Sequence, residues 1–182
     1  MQTNVIIHGL TEENLNDVPS FSGPPYSCKY CLYWESPEDF KKQSSLDREY
    51  PLGKKSTWIK KVRQEFGDCG KIIYVNEKPA GYAQYALPSF LPNIVNYSIS
   101  PNQDDVLIAC LYISKELRVS GLGSQLLRSI VDGLRKRDFK AVETFAGKNT
   151  ANNTSGPVEF YLNNGFSLYK DAEEFSLMRL EL

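Results

Sequence analysis

A chain of 182 residues has room for one ordinary domain and not for two. Its 41% apolar and 12% aromatic content is that of a folded globular protein and excludes disorder. Lys and Arg number 21 against 22 Asp and Glu, for a net charge of −1. Surfaces that hold nucleic acid or anionic membranes carry a basic excess, so neither is an expected partner. The longest apolar run, Val106 to Ile113, is far shorter than the roughly 20 residues a membrane span needs. Met1-Gln2-Thr3-Asn4 opens no basic-then-apolar leader, so the expected compartment is the cytoplasm and the expected state of the four cysteines is the free thiol.

In chain order, Val5 to His8 reads as a short strand, and Leu10 to Tyr26, rich in Asn, Ser, Gly and Pro, as loop with one helical turn. Ser36-Pro37-Glu38-Asp39 marks a helix start: a capping residue, a proline suited to the first turn, and two carboxylates at the positive helix end. Trp58, Ile59, Val62 and Phe66 recur at helical spacing, which predicts a helix over Thr57 to Phe66 stopped by Gly67. Lys71 to Val75 and Ala80 to Ala86 read as a hairpin around Asn76 to Pro79. Leu87 to Gln103, with Pro88, Pro92 and Pro101, is a long irregular connector.

Val106 to Ile113 then has the unbroken apolar pattern of a central strand buried on both faces. An amphipathic helix follows, with Leu122, Leu126, Leu127, Ile130, Val131 and Leu134 on one side and Arg135-Lys136-Arg137 at its negative end. Ala141 to Ala146 is a further strand, Pro157 to Asn164 a short helix stopped by Gly165, and Phe166 to Tyr169 and Phe175 to Leu182 are the last strands. The whole, 1–182, is one α/β (α+β) domain: a mixed sheet of about seven strands with helices on both faces.

The segment Arg118-Val119-Ser120-Gly121-Leu122-Gly123-Ser124 lies between the buried strand and the long helix. A helix start offers unpaired N–H groups and a partial positive charge, and glycines let an anion approach the backbone. Such a turn is a phosphate cradle, or else a turn that only packs strand against helix tightly. It ends in no Gly-Lys-Ser/Thr, and its glycines are too few for Gly-x-Gly-x-x-Gly, which excludes two common nucleotide loops.

Leu111-Tyr112-Ile113 followed after four residues by Arg-x-x-Gly-x-Gly resembles the acetyl-CoA signature of the GNAT superfamily of N-acetyltransferases. Phe160-Tyr161, three residues, then Gly165-Phe166 resembles that family's second signature. The resemblance covers Val106 to Phe166 firmly and extends back to Lys71. It implies a mostly antiparallel sheet that splays between Leu111–Ile113 and Ala141–Ala146, with acetyl-CoA as cosubstrate in the gap. Main-chain groups of Leu111 and Ile113 would bond the pantetheine arm, and the N–H of Leu111 would polarise the thioester carbonyl. Arg118, Val119, Ser120, Gly121, Leu122, Gly123 and Ser124 would wrap the pyrophosphate. Tyr161 matches the tyrosine that protonates the departing thiolate.

The chain departs from the family pattern in three places. Lys115 stands where a proline is frequent, Ser120 where Arg or Lys is usual, and Thr154 where an Asn is common. Asn149, Asn152 or Asn153 would take over from that Asn, with Asn153 the first candidate. Removal of a proton from the amine acceptor calls for a base, and Glu143 borders the implied gap; Asp104, Asp105 and Glu35 are the other carboxylates in play.

Cys28 and Cys31 form a Cys-x-x-Cys with no second pair to complete a structural zinc site. His8, the single histidine, reads as an edge-strand residue. Tyr30, Tyr33 and Trp34 would wall the acceptor site in a GNAT domain, or simply fill core. The expected activity is direct acetyl transfer to an amine in a ternary complex. Its competitors are a non-catalytic acyl-CoA sensor of the same fold and a metal or thiol protein built on Cys28 and Cys31. Pairing into a homodimer is left open.

Overall fold

The computed structural model describes residues 3–23, 25–43, 47–118, 120–148 and 155–182. Its strands are β1 (Val5–Gly9), β2 (Gly70–Val75), β3 (Lys78–Ala86), β4 (Val106–Ile113), β5 (Ala141–Gly147), β6 (Ser167–Asp171) and β7 (Phe175–Glu181). Its α-helices, among the described residues, are α1 (Pro37–Lys42), α2 (Glu49–Glu65), α3 (Leu122–Arg135) and α4 (Val158–Leu162). The strands form one seven-stranded sheet in the order β1-β2-β3-β4-β5-β7-β6, antiparallel throughout except where β4 meets β5.

Strand alternation sends neighbouring side chains to opposite faces and so to two separate cores. Ile73, Ala83, Ile108 and Val142 pack with the apolar stripe of α3 and with Tyr161 of α4. Ile72, Tyr82, Leu107 and Phe145 pack on the other face with Trp34, Leu10 and α2 residues Ile59 and Val62. The long connector after β3 folds into two 3-10 turns, Pro88–Phe90 and Pro92–Asn96, and delivers Leu91 and Ile94 to this second core.

Two elements differ from expectation. Helix α2 starts at Glu49, well before Thr57, because Pro51 stands in its first turn, where the missing N–H would have had no partner. The β2–β3 turn is a tight two-residue one: Asn76 and Glu77 both take positive φ, 47° and 66°, as a hairpin matched to strand twist requires.

The β4–β5 pairing positions the site. It runs only over Val106↔Val142, Leu107↔Glu143 and Ile108↔Thr144, although both strands continue. The parting coincides with a bulge: Tyr85 faces Ile108 and Gln84 faces Cys110, so Ala109 is the extra residue. Beyond it β4 stays on β3, helped by Gly81, where a Cβ would lie 2.7 Å from the Tyr112 carbonyl oxygen.

Candidate functional site

The gap between β4 and β5 is lined on one side by main chain. Ser114 N–H donates to Ala80 O at 2.8 Å, which makes that pair a hydrogen-bonded one. Antiparallel pairs alternate, so Tyr112 also bonds β3, while Leu111 and Ile113 turn their N–H and C=O toward the gap. Arg118 Nε donates to the Ile113 carbonyl at 3.1 Å, consistent with that direction. On the opposite side the chain ahead of α4 covers the β5 edge: Gly147 N–H donates to Gly156 O at 3.1 Å and Ser155 Oγ to Phe145 O at 2.5 Å.

The glycine turn opens at the gap's mouth. Gly121 caps α3 at φ 80°, a left-handed conformation that strains any side chain, and nothing lies within 4 Å of where its Cβ would stand. The N–H groups of Leu122, Gly123 and Ser124 fall in the helix's first turn, where no intrahelical acceptor exists, and the described first turn holds no acid. This donor set fits a pyrophosphate. Gly123 has a different reason: a Cβ there would meet the Phe160 ring at 3.2 Å, so it serves α3–α4 packing. Ser120 Oγ is spent on the Leu117 carbonyl, and the Arg118 guanidinium lies 5.8 Å over the Tyr112 ring. Val119, and Asn153 with its neighbours Asn149, Asn152 and Thr154, lie outside the described residues.

Tyr161 sits at the root of the gap. It is fully buried, its hydroxyl donates to Ser155 O, and it hydrogen bonds with Thr144, whose Oγ1 reaches Ile108 O at 3.0 Å. Burial lifts its phenol above the usual tyrosine range, against the pull of Thr144 and Ser155. The group is a proton carrier at every working pH.

Glu143 is fully buried below the parting point, and both its oxygens are engaged: Oε1 accepts from Arg179 Nη1 at 2.6 Å and Oε2 from Asn102 N–H at 3.0 Å. Burial raises its carboxyl above the ordinary range, and the Asn102 and Arg179 contacts draw it back. Asp105 shares the same guanidinium, whereas Asp104 lies in the exposed turn ahead of β4. The structure therefore commits Glu143 and Asp105 to Arg179 and not to the gap.

The three aromatics separate. Trp34 is core, 2% exposed, stacked 5.4 Å from Tyr97 and 6.3 Å from Phe145. Tyr33 is half-buried, its hydroxyl 3.1 Å from that of Tyr97. Tyr30 is half-buried too, with the Arg48 guanidinium 5.6 Å from the centre of its ring. The cysteines separate too: Cys28 contacts Cys110, and burial pushes the Cys31 and Cys69 thiols up to about 12. Among the described residues no group of three or more His, Cys, Asp or Glu is placed to hold a metal.

Two features had no legible signal in the sequence. A cleft of about 540 Å³ lies between the N-terminal loop and the end of β4, lined by Ser20, Phe21, Ser22, Tyr112, Lys115 and Arg118. An ion pair between Glu35 and Lys55 is buried under β3, and Lys55 lies ahead of the helix predicted from Thr57.

Comparison with known proteins agrees with this geometry. The model of the acetyltransferase (GNAT) family matches residues 30–166. A search of curated proteins finds no match. Among solved structures, the PaiA N-acetyltransferase of Thermoplasma acidophilum in complex with coenzyme A is 14% identical, over 98% of this chain and 99% of that one, with a TM-score of 0.62. An N-acetyltransferase of Staphylococcus aureus is 16% identical over 98% of both chains, with a TM-score of 0.57. An acetyltransferase of Thermus thermophilus is also 16% identical, over 98% of this chain and 97% of that one, with a TM-score of 0.56. At these identities the structures speak for the fold, and the family match speaks for descent. With the splayed β4–β5 pair and the glycine turn at its mouth, the chain belongs to the GNAT family of acetyl-CoA-dependent acetyltransferases.

Proposed function

We propose that the protein moves an acetyl group from acetyl-CoA directly to an amine, with both substrates held in one ternary complex. The carrying observation is the parting of β4 from β5, which leaves the main chain of Leu111 and Ile113 facing a gap that opens on the Gly121 turn. Acetyl-CoA supplies an activated thioester carbonyl. The N–H groups of Leu122, Gly123 and Ser124 receive its pyrophosphate. Ile113 exchanges its Arg118 contact for the pantetheine arm, which frees a cation for the phosphates.

The N–H of Leu111 donates to the carbonyl oxygen as negative charge develops there. Tyr161 gives its hydroxyl proton to the departing sulfur. Thr144 and Ser155 hold that hydroxyl at the root of the gap meanwhile. Glu143, engaged by Arg179 and Asn102, fixes the β5–β7 edge, and the amine proton passes to solvent. Tyr30 and Tyr33 face the acceptor, and Trp34 backs them from the core.

Release of CoA in the presence of acetyl-CoA and a panel of primary amines is the test. Turnover that falls about 100-fold in kcat on Tyr161→Phe, with acetyl-CoA still bound, is expected. A non-catalytic sensor of the same fold would bind CoA and release none with any amine.

A further inference from the structure

A buried polar cluster lies on the face of β3 that packs against Trp34 and α2, assembled from elements far apart in the chain. Lys55 of α2 and Glu35, just ahead of α1, form an ion pair whose side chains are 2% and 4% exposed. Gln84 of β3 donates to Glu35 Oε1 at 2.8 Å and accepts from Lys55 Nζ at 3.0 Å and Tyr82 OH at 2.7 Å. Oε1 of Glu35 thus takes two donors, while its Oε2 is buried with no hydrogen-bond partner.

The cluster's place in the sheet is specific. Gln84 stands opposite Cys110, the residue before Leu111, and Trp34 stacks over Phe145 of β5. Residues 34 and 35 therefore straddle β4 at the Ala109 bulge, where the gap begins. Native proteins rarely leave a buried charged oxygen unpaired, and a buried ion pair is seldom more stabilising than apolar packing of the same volume. Fold stability does not account for this arrangement, whereas an incoming N–H would complete it.

Building on the amine-acetyltransferase reading, we propose that Glu35 Oε2 accepts the hydrogen bond of the substrate amine, with Lys55 and Gln84 as positioning residues. Lys55 already neutralises Glu35, and close by in the chain the half-buried ring of Tyr33 packs edge-on against the core ring of Trp34, which stacks on Tyr97. The substrate class that fits is a primary amine on an apolar or aromatic stem.

The test follows CoA release by the full chain with 2-phenylethylamine and n-butylamine, and unfolding temperature with and without acetyl-CoA. Glu35→Gln is expected to raise the amine KM about tenfold or more and to leave the acetyl-CoA KM unchanged. That variant leaves Lys55 unpaired in the interior and loses stability. The double variant Glu35→Gln, Lys55→Met removes the stranded cation. Its unfolding temperature should return toward wild type while the amine KM stays high. An unchanged amine KM in both variants, or one restored by the second substitution, overturns the proposal, because a purely structural pair predicts that rescue. Turnover of neither amine by the wild type also overturns it. Stabilisation by acetyl-CoA in that case leaves the transferase reading standing, and its absence removes both.

Discussion

In the proposed mechanism Tyr161 joins packing to chemistry in one side chain. Its ring packs between Phe160 and Phe166 in the core on the α3 side, while its hydroxyl stands where β4 and β5 part. Because burial raises its phenol, the rate should show no alkaline loss from tyrosine ionisation below about pH 10. A pH–rate profile checks this, and a limb near pH 8 that vanishes in Tyr161→Phe would contradict it. The thiols make a second prediction. With Cys31 and Cys69 pushed up to about 12, on the order of one molecule in 10⁴ carries either thiolate at pH 8. Alkylation of these two by iodoacetamide should wait on unfolding, as peptide mapping of a time course would reveal.

The candidate residues along the gap were named in the sequence because main-chain chemistry needs only a position in a motif: Leu111, Gly121 and Tyr161 stand where the resemblance to the GNAT signatures implies they should. Lys55 was not legible, because charge burial depends on Glu35 and Gln84, which approach it from 20 and 29 residues away. The engagement of Glu143, the candidate base, was not legible either, because its partner Arg179 lies at the far end of the chain.

At the scale of elements, the site is a consequence of one bulge and two glycines. The bulge at Ala109 ends the β4–β5 ladder, Gly81 lets β3 hold β4 closely, and Gly121 turns the chain into α3. Gly121→Ala is expected to weaken acetyl-CoA binding and to cost about 1–2 kcal/mol through its left-handed φ. Gly81→Ala should cost more, since its Cβ would meet the Ile113 side chain at 2.5 Å as well as the Tyr112 carbonyl, and one of the two strands must move. Denaturant titration of both variants, with and without acetyl-CoA, measures each effect. A Gly81→Ala variant as stable as wild type would contradict this account of the β3–β4 approach. An unbroken apolar run made β4 readable to the residue, and helical periodicity made α3 nearly so. The first turns of α2 were hidden because Pro51 and Gly53 look like breakers when their place in a helix start is unknown.

At the scale of the molecule, the sheet is closed at one end by Arg179, which holds Asp105, Glu143 and Glu181. Removing it by Arg179→Met strands two buried carboxylates, at a cost of about 3 kcal/mol or roughly 6–12 °C in unfolding temperature. The pH dependence has a definite sign. Glu143 has a raised carboxyl in the folded state, so its contribution is present at low pH and is lost as pH rises through the folded value. The loss of Arg179 enlarges that shift, so the deficit should be small near pH 5 and largest near pH 8. A deficit that shrinks with rising pH would contradict it.

The central claim is that the parted strands and the glycine turn form an acetyl-CoA site. The most direct test is thermal unfolding of the wild-type chain alone, with CoA, and with acetyl-CoA. A ligand that binds only the folded state at a hundredfold excess over its Kd adds about 2.7 kcal/mol, a rise of roughly 5–10 °C for a domain of this size. The account predicts such a rise with both ligands. No rise at millimolar concentrations of either would contradict it.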